Sequence, residues 1–390
     1  MRRAVWGLAL GLALGCGSKG SKDEDQAASA KTAEKGPERP PTKPITDEEL
    51  KALHKRVQDA KPAPASTRPG LPPAAKSGDA QGAYKQAADV VTKNPTAAEH
   101  PHDPAALSVA ELLAQGAAAP QSTSPLAEGG DAAAYAKAGT VALAVGFADV
   151  GGGKGGVGAR HGLVVARMAT DVARDAGWMA LEATLPLVTK SMGLVRTALA
   201  GGGPKAKAAE LAGLTDACLA VAAGMPALRG SAEAELRARD EALVAHGSPT
   251  PEAVRPYEAA RRALVEAVKD GEGRVLAERL EAAKAADLPD ALLRADLAVS
   301  LTKAHADVVG TCLLVALESH KRAHGGVLAK TLEDAVGKGK VPAEPIGGGA
   351  WEYVDDGVGG RLLRSGSVMV AGKPEAIELP IRGKAVAKSK

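Results

Sequence analysis

The residues that could do chemistry are few and far apart. His320 and His324 stand four apart on a stretch with helical periodicity, so both rings project from one face, with Glu318 and His305 in reach. That spacing suits a metal ion, but Lys321 occupies the place where a two-His zinc helix carries its Glu. The pair reads as a solvated helix end. Glu99, His100, His102 and Asp103 form a second ligand-rich cluster, in a loop where turn and helix-cap duties account for them. Asp355 and Asp356 are neighbours in a turn, where carboxylates are ordinarily solvated rather than paired for acid–base work. The run Gly153-Lys154-Gly155-Gly156-Val157-Gly158 follows an apolar stretch, as a phosphate cradle would. Ala159 and Arg160 then stand where a Lys and a Ser or Thr would meet phosphate and Mg²⁺, so the run reads as an interhelical loop. Ser300 and Lys303 have the spacing of a lysine-activated serine nucleophile, without the companion Ser-Asp-Asn and Lys-Thr-Gly. Neither an enzyme nor a resident cofactor or metal is expected.

Three cysteines divide into two classes. Cys218 and Cys312 fall on predicted helices among apolar neighbours. Two readings stay open for them: a disulfide in an oxidising compartment, or two buried free thiols. Cys16 follows a basic start, Met1-Arg2-Arg3, and twelve apolar residues at 4–15. That segment is too short to span a bilayer and fits a secretory signal. The residues Leu12-Ala13-Leu14-Gly15-Cys16 resemble the lipobox of bacterial lipoproteins, with Ala13 in place of the family's usual Leu. The resemblance implies cleavage before Cys16 and acylation of its thiol and new amino group. Three acyl chains hold a membrane far more firmly than one. Gly17 stands where an Asp would signal retention at the inner membrane, which implies the outer membrane. The implied partners are the membrane, through the lipid anchor, and another envelope protein.

Composition says what must position these residues. The chain has 390 residues, is 45% hydrophobic and 24% charged, and is rich in Ala and poor in aromatics. A core of Leu, Val and Ala favours close-packed helices over large sheets. The formal net charge is +3. Loss of Arg2 and Arg3 takes the 49 basic side chains to 47, against 46 acidic ones. Such a balance leaves no electrostatic footprint for nucleic acid. Five segments follow: a signal peptide at 1–15, a lipidated Cys with a disordered tether at 16–79, a helical body at 80–324, a small α+β cap at 325–383 and a frayed tail at 384–390. The tether is rich in Pro, Lys, Glu and Ser and has a root-mean-square reach of roughly 45 Å. Its one helical signal is at 46–60, where Thr46 and Glu49 have capping-box spacing.

In the body, helices are predicted at 81–93, 105–115, 132–150, 163–177, 178–200, 205–223, 231–246, 251–270, 274–286 and 287–310, and 311–324 is either a further helix or the continuation of the last. Short joints favour antiparallel neighbours, hence an irregular helical bundle or array. Strands are predicted at 351–354, 361–363, 367–370 and 377–381. The cap rests also on a second likeness. Ala316-Leu317-Glu318, His324-Gly325, Leu332, Pro342, Pro345, Tyr353, Gly359 and Ser365-Gly366 match a C-terminal segment of many exported bacterial proteins. That segment is similar to the globular part of type II secretion pseudopilins. The Pro usual after His-Gly is missing and the methylation signal is absent, so the likeness implies a fold and no binding residues. The expectation is a non-enzymatic envelope lipoprotein with a structural or adaptor role. The alternatives are a periplasmic ligand- or metal-binding lipoprotein and an accessory factor of a secretion or pilus-like apparatus.

Overall fold

Among the residues described by a computed structural model there are twelve helices and five strands. It describes residues 46–60, 66–126, 130–174, 176–200, 208–245, 251–269, 273–285, 293–356, 360–370 and 373–382. The signal peptide, Cys16 and the tail at 384–390 lie outside these residues.

Local chemistry sets the helix starts. α1 (Asp47–Asp59) opens on the capping box of Thr46 and Glu49. β1 (Ser66–Thr67) follows, and α2 (Ala80–Lys93) is capped by Asp79. α3 (Pro104–Ala118) begins with proline, whose missing N–H costs nothing at a first turn. β2 (Gln121–Ser122) pairs with β1. Asp131 caps α4 (Ala132–Gly151). α5 (Gly155–Ala173), α6 (Trp178–Ala200), α7 (Ala208–Ala223), α8 (Leu228–Ala245), α9 (Pro251–Lys269) and α10 (Gly273–Ala285) follow through short joints.

Two helices organise the core. α5 is buried almost throughout from Gly158 onward and packs on α3, α4, α6 and α7. Glycine permits the approach. A Cβ on Gly158 would lie 2.4 Å from Val150 Cγ2 on α4. α11 (Ala295–Ala323) runs about 43 Å at 1.5 Å per residue. It packs on α6, α7 and α10, and its apolar window is 72% buried within the fold. Cys218 of α7 and Cys312 of α11 form a disulfide between Cα atoms 5.3 Å apart.

After α12 (Leu332–Val336) come β3 (Glu352–Asp355), β4 (Gly360–Val370) and β5 (Lys373–Arg382), an antiparallel sheet in the order β3-β4-β5. Leu363 and Leu379 stand in register and are buried, and β4 and β5 pack against α11. A bulge between Arg364 and Ser367 shifts the register of β4, so that Leu363 before it and Val368 after it are both buried.

Two expectations are corrected. Residues 46–60 and 66–79 are not a free tether. Leu53 is buried where α1 meets α8, and Arg56 pairs with Asp240 and Glu258. Arg68 and Leu71 are buried against the end of α3, with backbone bonds to Pro120 and Ala117. The packed body therefore includes residues 46–60 and 66–79, because a few well-placed apolar and ionic groups suffice to dock a segment that is polar on average. The glycine run is interhelical joint only at Gly153 and Lys154, and from Gly155 it forms the first turns of α5. Residues 311–324 continue the helix before them, since α11 passes through Gly310 unbroken.

Candidate functional site

One constellation stands out in the core, and it is built on α5. Arg167 and Asp171 stand four apart on one side of α5, and Arg174 is the residue that caps its C-terminal end. Asp171 is fully buried. Its Oδ2 accepts from Tyr84 Oη at 2.8 Å and from Arg68 Nη2 at 2.6 Å. Tyr84 reaches it from α2 across Gly116, where a Cβ would sit 2.3 Å from the ring. Arg68 also donates to the carbonyls of Gly116 and Ala117, closing the end of α3. Burial pushes the Asp171 carboxyl up, against the pull of Arg68 and Arg167. Burial likewise raises the Tyr84 phenol well above its usual range, and the Asp171 charge adds to this.

Arg167 is the unusual member. Its side chain is fully buried, and burial brings its ionisation down to about 10. Nη2 donates to Ala220 O at 2.7 Å and to Pro69 O at 3.3 Å. Among the described residues, Nε and Nη1 have no hydrogen-bond partner. A Cβ on Gly224 would lie 2.4 Å from Nη1, so only glycine leaves room for that guanidinium. Arg174 donates to Gly224 O at 3.0 Å. Beside these groups lies a cavity of about 350 Å³. The segment 67–69, the three arginines and the turn from α7 into α8 line it. Among the described residues, three guanidiniums line it.

A larger cavity, about 560 Å³, lies between α7, α10, α11 and the loop at 340–348. Its buried Glu344 is spent on that loop's own turn, accepting from the amides of Ile346 and Gly347. Arg274 pairs with Glu278 on α10. The larger space is therefore the less chemical of the two.

The residues singled out by spacing are not brought together there. His320 and His324 stack with ring centroids 3.9 Å apart, and His324 Nδ1 meets His320 O. Glu318 pairs with Lys321. No group of three or more metal-ligating side chains occurs among the described residues. Asp103 precedes α3 without a side-chain cap bond. Asp356 accepts from the Gly360 amide and from Arg382. Lys303 pairs with Glu375 of β5. The arginine cluster was missed by motif reading, although charges at 167, 171 and 174 inside an apolar stretch were its signal. No protein-family model, curated protein or solved structure matches the chain.

Proposed function

We propose that this chain is an exported, lipid-anchored envelope protein whose helical body is a binding module. The observation that supports export is the Cys218–Cys312 disulfide. Stable structural bridges belong to oxidising compartments. With those two thiols paired, Cys16 is the one cysteine left, and it sits in the lipobox-like run Leu12–Cys16. The composition of residues 17–45 suits a tether, and a flexible chain of that length reaches roughly 30 Å.

Of the roles open to the body, small-ligand binding is favoured over an adaptor role. The large exposed apolar side chains, such as Phe147, Val157 and Met179, fall one to an element rather than in a run on any one helix. The arginine-lined cavity, by contrast, concentrates charge in one place. No catalytic part is assigned to it, and the pseudopilin-like segment carries only the cap's fold.

Metabolic labelling with palmitate tests the anchoring. The wild type should take up label and sediment with outer membranes, and Cys16→Ala should do neither. An unlabelled wild type, or a Cys16→Ala protein that stays in the membrane, contradicts the reading.

A further inference from the structure

We infer that the larger cavity, between α7, α10, α11 and the loop at 340–348, is a binding site for a small uncharged hydrophobic molecule, of the fatty-alcohol class. The inference adds a second site to the ligand-binding reading of the body. It depends neither on the lipid anchor nor on the arginine-lined cavity.

The space is framed by packed elements. α7 and α10 both pack on α11, and a cavity of about 560 Å³ lies between them. That volume falls within the range of about 300–1,000 Å³ common for small-molecule sites. α7 faces it with Leu219, Ala222 and Ala223, and the two alanines leave the gap unfilled. The opposite wall is tied down. Arg274 N at the start of α10 donates to Ile346 O at 3.1 Å. Glu344 accepts from the amides of Ile346 at 2.6 Å and Gly347 at 2.7 Å. The cavity therefore has a fixed shape rather than a loose flap.

Its wall is largely apolar. Val309 and Ile346 are buried beside it, and Pro342 and Pro345 complete that side. Val275, which also lines it, is 46% exposed. A hydrocarbon chain laid along these side chains removes apolar surface from water on both partners.

The charges around the wall select against an ion. Arg274 pairs with Glu278 at 3.5 Å, and His305 already has a partner. Lys340 and Glu344 carry one charge of each sign. Neither sign is in excess, and both oxygens of Glu344 already accept amide bonds. A charged head would leave water without a matching counter-charge, which is costly, whereas a hydroxyl has little to lose. The favoured occupant is therefore neutral, with its tail against α7 and α11.

The test uses the full-length protein in lipid nanodiscs, with empty nanodiscs as the blank. Octanol, octanoate and octylammonium, which share one tail and differ in charge, are titrated by calorimetry at neutral pH. Saturable binding of octanol is expected, with each ion about tenfold or more weaker. Ala222→Phe, which fills the cavity from α7, should weaken octanol binding about tenfold or more without lowering the melting point. Val275→Glu, which sets a carboxylate at an exposed edge of the wall, should weaken it too and leave the melting point near that of the wild type. The inference is overturned if octanol gives no saturable heat above the blank. Equal or tighter binding of either ion overturns the uncharged class. Wild-type octanol binding by either folded variant overturns the location.

Discussion

Reducing the Cys218–Cys312 bridge should loosen the body without rearranging it. The bridge joins residues 94 apart in sequence. The chain-entropy relation for a closed loop of that size gives about 4.7 kcal/mol at 25 °C, and native bridges commonly deliver about 2–4 kcal/mol. Most of that acts on the unfolded chain, because both cysteines are fully buried in an interface that stays packed by Leu214, Val221, Val308 and Val315. Urea unfolding followed by circular dichroism, with and without reductant, reads the effect. With a slope near 3 kcal/mol/M, the midpoint should fall by about 1 M. The double variant Cys218→Ala, Cys312→Ala should fall similarly and lose its response to reductant. Hydrogen exchange should rise first in α7, which the bridge pins to α11. An unchanged midpoint on reduction, or two alkylatable thiols in the denatured, unreduced protein, would refute the reasoning.

Three further outcomes follow from the same geometry. Arg56→Ala removes the partner that donates to buried Asp240 through Nε and Nη2, both at 3.0 Å. Partial exposure of Arg56 tempers the loss to about 2 kcal/mol, and hydrogen exchange should show α1 released from α8 and α9. Burial holds the His161 ring below its usual range, against Asp149, so the folded protein binds fewer protons there than the unfolded chain. Stability should therefore be complete above about pH 6.5 and decline as pH falls through the folded value, with a flatter profile in His161→Gln. An identical slope would show that His161 is not responsible. Gly158→Val should cost about 3 kcal/mol or more, since its side chain would enter the backbone of α4, and an unchanged melting point would contradict that packing.

Much of the helical architecture was legible in residue spacing, and the exceptions share a cause. α6 runs over the predicted span, 178–200, despite Pro186, and the capping box at Thr46 marks α1 correctly. Glycine obscured the helix boundaries. The run at 153–158 suggested a loop, and Gly310 left open whether one helix or two crossed it. In the fold, small residues are what close contacts demand: a Cβ on Gly310 would lie 3.0 Å from the Trp351 ring. A similar ambiguity split β4 in two, because Ser365 and Gly366 look like a turn. They form a bulge instead, with Ser365 Oγ accepting from the Ile377 amide at 2.9 Å. The arginine cavity was the least legible feature. Arg68 lies in a Pro-rich segment nearly a hundred residues before α5, and no local pattern announces that the two meet. Only the charged side of α5 gave notice, and it lacked a motif to name it.

The measurement that bears most directly on the central proposal is the intact mass of the protein extracted from membranes, taken with and without reductant. The expected species begins at Cys16, carries three acyl chains, and gains two hydrogens on reduction of Cys218–Cys312. A chain that begins elsewhere, that carries an unmodified Cys16, or whose mass does not respond to reductant would contradict it.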